Sequence, residues 1–209
     1  LKQLVHSQSA ELYPIYTFPI MMITSGFVVI LLAIGLRNIE AEEHGNDFDG
    51  CKQYNTEMGY DEPLYYIPTN TLNNTVDHGE FKYYKIGVLG TNDGVIRLSN
   101  YMYPYDKNVT EIVVGSHWNT RSGGRTQYRT SSNEYKNTDL VRALTPNMLN
   151  PFRPVMLKLK LWVDGKKEVF HDGHDYPFLG FMDTQKLPVN YMAFTRRNLT
   201  LVFFYDCPM

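Results

Sequence analysis

The sequence predicts an all-β fold, an antiparallel β-sandwich or partly open barrel, preceded by one transmembrane α-helix. Three observations carry this prediction. Beyond residue 79 the chain is a series of short aromatic and β-branched runs separated by turn residues. None of those runs keeps a helical period. Near the N-terminus, Pro19 to Leu36 reads PIMMITSGFVVILLAIGL, with no charge in it.

Composition agrees. The chain has 209 residues, 14% of them aromatic, including 16 Tyr, which favours strands over helices. Its net charge is -2, and Lys and Arg form no basic stripe, so a nucleic-acid partner is not expected. Without the anchor, the remaining length is that of one domain.

The apolar run, extended back to Ile15, has about the 20 residues that span a bilayer's hydrocarbon core. Pro14 and Pro19 lie where a helix start tolerates proline, and Tyr13 and Tyr16 lie where an interfacial aromatic belt belongs. Arg37 ends the run. The predicted organisation is a cytoplasmic segment over 1–12, the transmembrane helix over 13–36, an acidic stalk and irregular lead-in over 37–79, and an extracytoplasmic β domain over 80–209. A cleaved signal peptide is the alternative, because Ala33-Ile34-Gly35 has the small-x-small form of a cleavage site. The long segment before the apolar run argues against it. A buried core helix fits poorly, since the run is too long and too uniformly apolar.

The flanking charges set the orientation only weakly. Lys2 and His6 oppose Glu11 on one side; Arg37 is followed by Glu40, Glu42, Glu43, Asp47 and Asp49 on the other. The residues beyond decide it. Cys51 and Cys207, the two cysteines, make a natural disulfide in an oxidising compartment. Asn73, Asn108 and Asn198 each open an N-x-[ST] sequon, so all three are candidate glycosylation sites on the same side. The expected topology is a single-pass signal-anchor glycoprotein of the plasma membrane or a secretory-pathway membrane, with its C-terminal domain extracellular or lumenal. Within the span, Thr24, Ser25 and Gly26, with Ala33 two turns on, form a small-residue face. Ser25, Gly26 and Ala33 are its expected helix-packing residues.

The strands follow in order. Phe81 to Leu89 is aromatic and β-branched; Val95 to Leu98 follows an Asn92-Asp93-Gly94 turn; Glu111 to Gly115 is a short apolar run. Val155 to Val163 is the clearest, with Leu157, Leu159, Leu161 and Val163 alternating with Lys158, Lys160 and Trp162, one face buried and one wet. Asp164-Gly165 then predicts a hairpin to Lys166–Phe170. Further strands are expected at 178–182, 189–194 and 199–205.

Three stretches invite a chemical reading. His171-Asp172-Gly173-His174-Asp175 has metal-ligand residue types, but a polar turn bending at Gly173 explains it better. Gly87-Val88-Leu89-Gly90 lacks the following helix that a phosphate-binding loop needs. Ser122-Gly123-Gly124 has no G-x-S-x-G context. No catalytic, metal or cofactor-binding residue is predicted, and no cofactor.

Glu111 to Ser122 (EIVVGSHWNTRS), then Leu159 to Gly173, then Pro177 to Asp183 with Val189-Asn190-Tyr191, resemble the farnesoic acid O-methyltransferase-like domain of arthropods in order and spacing. The departures are Ser116 in place of the second glycine of a Gly-Gly element, and His117 as an insertion before Trp118. The family's name implies S-adenosylmethionine chemistry, yet an all-β domain without a glycine-rich strand-to-helix loop offers no catalytic residue to carry over. Absent convergent catalytic residues, the expectation is an accessory or structural subunit. Its helix docks in the lipid bilayer within an integral membrane complex, such as an ion channel or transporter, and its outer domain makes protein contacts. The alternatives are a lipid- or carbohydrate-binding ectodomain, or a methyltransferase. Enzymatic activity is an open question that leans towards none.

Overall fold

The computed structural model of the protein describes residues 48–132 and 134–209. The strands among them are β1 (Lys52–Asn55), β2 (Ile67–Pro68), β3 (Val76–Asp77), β4 (Phe81–Leu89), β5 (Gly94–Ser99), β6 (Lys107–Gly115), β7 (Arg121–Arg129), β8 (Tyr135–Leu144), β9 (Val155–Trp162), β10 (Lys166–His171), β11 (Leu179–Met182), β12 (Tyr191–Arg196) and β13 (Val202–Tyr205). They form two antiparallel sheets. One has the order β1-β13-β4-β9-β10-β11, with β3 added to β4; the other runs β2-β12-β5-β6-β7-β8.

The all-β expectation holds, and the period-two pattern explains why the sheets face each other. Ile86 and Val88 of β4, Leu157, Leu159 and Leu161 of β9 and Phe203 of β13 point inward from the first sheet. Ile96 and Leu98 of β5, Ile112 and Val114 of β6 and Met192 and Phe194 of β12 meet them from the second. Phe194 stacks on Phe203 across the layers, ring centroids 4.7 Å apart. Each such side chain, fully buried, contributes about 1.5–3 kcal/mol.

The β9–β10 hairpin forms as expected: Gly165 takes φ +100° and donates its N–H to the Trp162 carbonyl at 3.2 Å. The alternation ends one residue early. Val163, expected on the buried face, belongs to the turn and is 68% exposed. Among the described residues the longest helical segments are one 3₁₀ turn at Thr69–Thr71 and one turn at Ser116–Asn119.

Residues 52–79, expected to be an irregular lead-in, instead build parts of both sheets. β1 pairs with β13, β2 with β12 and β3 with β4. Cys51 and Cys207 are bonded, with an S–S distance of 2.10 Å, beside Met156, Phe204 and Phe48. Among the described residues no helix is long and apolar enough to cross a membrane. The expected segment 1–12, the helix 13–36, its packing residues Ser25, Gly26 and Ala33 and most of the acidic stalk lie outside the described residues.

Candidate functional site

The outward face of the second sheet is where polar side chains converge. Since Ile96, Ile112 and Phe194 point into the core, their neighbours must point out. Register then sets four charged residues side by side on four strands: Arg97 opposite Glu111, Glu111 opposite Arg125, and Arg125 opposite Asp139. The last pairing depends on a register shift between Gly124 and Arg125, without which Leu140 would face the arginine.

Glu111 is fully buried. Arg97 Nε donates to its Oε1 at 2.5 Å, and Arg125 Nε and the Tyr60 hydroxyl donate to its Oε2 at 2.7 and 2.8 Å. Burial alone would push the Glu111 carboxyl up, but Arg97 and Arg125 outweigh it and hold the group below the usual carboxylate range. Tyr60 reaches this row from the segment before β2 and lies beneath four guanidinium groups. Arg97, Arg125, Arg129 and Arg197 have their central carbons 4.6, 5.5, 5.4 and 4.7 Å from its ring centre. Burial and then the glutamate charge push the Tyr60 phenol up. Arg129 falls below the usual guanidinium value, through burial and then through Arg97 beside it. Arg129 also pairs with Asp61 at 3.7 Å.

Next to the row a cleft of about 310 Å³ opens. Its floor is Val113 and Gly123, which lie opposite each other on β6 and β7. Gly123 has no side chain to fill the space, and a Cβ there would sit 2.9 Å from the Val141 carbonyl. Arg121 and Arg125 rise from β7, Arg142 from β8 and Arg197 from the β12–β13 loop. Asp139 pairs with Arg142. Asp93 is 9% exposed, and its carboxylate forms no hydrogen bond or ion pair among the described residues. Burial pushes this carboxyl up, and Arg197, His117 and Arg125 offset this in part.

One wall of the cleft is strained. Gly115, His117, Trp118 and Asn119 all take left-handed φ, at +67°, +51°, +59° and +61°. For each non-glycine residue this costs on the order of 1–2 kcal/mol. The Asn119 amide secures the turn: its Nδ2 donates to the Leu149 carbonyl at 2.7 Å and its Oδ1 accepts from the Leu149 N–H at 2.8 Å. The turn sets His117 against the cleft and projects Trp118, 89% exposed. Backbone strain held this firmly is a feature of functional sites.

The residues singled out in the sequence fall elsewhere or at the rim. His171 to Asp175 is the expected polar turn, with Gly173 at φ +75° and the His171 ring 4.8 Å from Phe178. Among the described residues no group of three or more His, Cys, Asp or Glu could hold a metal ion. Ser122-Gly123-Gly124 lies near the start of β7, with Gly123 on the cleft floor. Of the sequon asparagines, Asn73 and Asn198 are exposed and Asn108 is half-buried; Asn198 lines the cleft. Sequence reading did not find Arg97, Glu111, Arg125 or Tyr60. For Arg97 and Glu111 the available signal was a charge on the outward phase of an apolar stretch; Arg125, one of three arginines on the polar strand β7, and Tyr60, outside any strand, carried none.

The family described as farnesoic acid O-methyl transferase matches residues 60–209. No curated protein matches the chain. Among solved structures, the chain is similar to a β-1,3-1,4-glucanase (lichenase) derived from a mouse hindgut metagenome, with 12% identity, 64% of this chain and 66% of that one covered, and a TM-score of 0.35. A β-porphyranase from the human gut bacterium Bacteroides plebeius gives 14%, 75% and 64%, and 0.36. A Bacillus licheniformis β-glucanase gives 8%, 77% and 94%, and 0.37. The chain spans just under two thirds of the length of the first two. Likenesses of this size transfer neither substrate nor mechanism.

Proposed function

On the premise that this chain belongs to the farnesoic acid O-methyl transferase family, which the match over residues 60–209 shows, we propose that its β-sandwich is a ligand-binding domain on the extracytoplasmic side of a membrane, taking an acidic carbohydrate in the cleft above Gly123. The observation that carries this reading is the convergence of Arg121, Arg125, Arg142 and Arg197 on one small cleft against two carboxylates. A guanidinium fork matches a carboxylate in bidentate geometry. The Asp93 carboxylate, without a partner, is placed to accept from sugar hydroxyls. Trp118 follows the cleft residue His117 in the chain and is exposed, so its flat apolar face is open to a sugar ring.

A lipid fits this cleft less well. Val113 and Val141 are its apolar lining residues, too little for a terpenoid or acyl tail. S-adenosylmethionine, which the family's name implies, finds no matching site here either. A side chain at Gly90 would strike Leu201 at 2.0 Å, and one at Gly87 would strike Met156 at 2.7 Å, so these glycines admit core packing and leave no backbone cradle.

The placement outside the cytoplasm is supported by the Cys51–Cys207 bond, which persists in oxidising compartments. The anchoring helix over 13–36 and a membrane partner docked on Ser25, Gly26 and Ala33 belong to the same proposal. Replacing Gly26 by Leu should release the chain from such a complex. If Gly26→Leu still co-purifies fully with every native partner, docking through the helix is wrong.

The cleft is tested by calorimetric titration with an oligosaccharide containing glucuronic acid and with its glucose counterpart. The acidic sugar should bind, and Arg197→Gln should weaken it by about 10-fold or more, the worth of one charge-assisted hydrogen bond. Equal binding of the neutral sugar, or an unaffected Arg197→Gln variant, would overturn the reading.

A further inference from the structure

The outward face of the first sheet carries a second, separate chemistry. With Leu157, Leu159 and Leu161 in the core, β9 turns Lys158, Lys160 and Trp162 outward. Register places Lys158 directly between Lys85 of β4 and Phe170 of β10. It places Lys160 between Tyr83 and Glu168, and Trp162 beside Phe81. Lys85 is tied to Asp172 at 2.7 Å. Glu168 is committed to Lys166 Nζ and Trp162 Nε1, each at 2.8 Å. Lys158 and Lys160 form no ion pair among the described residues.

Aromatic rings hold these two ammonium groups instead. Lys160 Nζ lies 4.0 Å from the Phe81 ring centre and 4.1 Å from that of Trp162. Lys158 Nζ lies 5.4 Å from the ring centres of both Tyr83 and Phe170. Cation–π attraction accounts for their positions. It does not account for Lys85 opposite Lys158, because like charges directly across a ladder are destabilising and an acid at either position would stabilise the sheet. With Lys85 compensated by Asp172 and Glu168 by Lys166, the face keeps the positive charge of Lys158 and Lys160. Lys158, Lys160, Phe81, Tyr83 and Trp162 are all half-buried, so each presents part of its surface to solvent.

We propose that this face binds an extended polyanionic glycan, with sulfate or carboxylate groups on Lys158 and Lys160 and sugar rings stacked on Trp162 and Phe81. Outward positions along a strand recur about every 6.6 Å, so cations and rings form a regular array that suits a linear polymer. The chain as a whole carries -2, so the attraction is local to this face, unlike the broad basic surface that binds nucleic acid or anionic lipid. The site stands apart from the cleft on the other sheet and does not depend on it.

The test is surface plasmon resonance of the full chain on immobilised heparin over a salt series, alongside neutral dextran, inorganic polyphosphate and phosphatidylserine vesicles. Heparin should bind and dextran should not. The Lys158→Gln/Lys160→Gln double variant should reduce the slope of log affinity on log salt by about two, one for each cation removed. Trp162→Leu should weaken binding at every salt concentration without changing that slope, and the lysine variant should lose the same amount of slope in an Arg197→Gln background, where any contribution of the cleft is already weakened. Melting temperatures near that of the parent establish that the lysine variants fold; Lys158→Arg/Lys160→Arg, which keeps both charges, should retain binding. Undiminished heparin affinity in the double glutamine variant would overturn the proposal. So would polyphosphate or vesicles binding as tightly as heparin.

Discussion

Arg97 donates to Glu111 at 2.5 Å in a place water does not reach, the two side chains being 2% and 0% exposed. Such a pair attracts strongly, but each charge was costly to bury, so its energetic weight shows when one partner is removed. Glu111→Ala leaves Arg97 and Arg125 without their carboxylate and should destabilise the domain by about 3–5 kcal/mol. Chemical denaturation measures this. A loss below about 1 kcal/mol would mean that water enters the site and solvates the arginines.

The same pair sets a pH dependence. The Glu111 carboxyl is held below its ordinary value of 4.5, burial working against this and Arg97 and Arg125 prevailing. Below that value the unfolded chain takes up the proton more readily than the folded one. The contribution of Glu111 is therefore complete above about pH 4.5 and is lost as pH falls towards the folded-state value. Urea midpoints from pH 7 to pH 3 should fall, and the fall should be shallower in Glu111→Gln. Parallel curves would remove Glu111 as the cause.

Gly124 makes room for Phe181. A Cβ at Gly124 would lie 2.3 Å from that ring, on the core side of β7. Gly124→Ala should cost about 1–3 kcal/mol through overpacking, and Phe181→Leu in the same chain should recover part of it. A melting temperature unchanged by Gly124→Ala would show that the ring moves aside freely.

The Asn198 sequon sits at the rim of the cleft. A glycan attached there would compete with a ligand for the same space. Asn198→Gln in a secreted, glycosylated preparation should therefore bind the acidic oligosaccharide more tightly than the parent. Mass spectrometry finding Asn198 unmodified removes the competition and predicts equal affinities.

Part of this fold was legible in the sequence. β9 and β10 declare themselves because one face is purely aliphatic and Asp164-Gly165 fixes the turn. β7, with the sequence RSGGRTQYR, does not. Its inward positions are Ser122, Gly124 and Thr126, small because Phe181 crosses from the other sheet, and its outward positions are polar because they join the arginine row. β8 fails for the same reason, and β1 to β3 are too short to show a period. The cleft was illegible for a different reason: Asp93, Arg125, Arg142 and Arg197 lie far apart in the chain and meet only through sheet order, with a one-residue shift after Gly124 setting Asp139 instead of Leu140 opposite Arg125.

The Cys51–Cys207 bond has a mechanical consequence. The two cysteines are 156 positions apart in the chain, yet they lie just outside β1 and just beyond β13, which are paired with each other. Tension applied between anything preceding Cys51 and anything following Cys207 passes through the two sulfur atoms. It bypasses both sheets, so the hydrogen-bonded ladders carry none of that load. A domain tethered from its N-terminal side and pulled by its C-terminal end would extend no further than this staple allows. Pulled instead at a surface such as the lysine face, it would transmit force through β9 and its neighbours, where the strands themselves must resist.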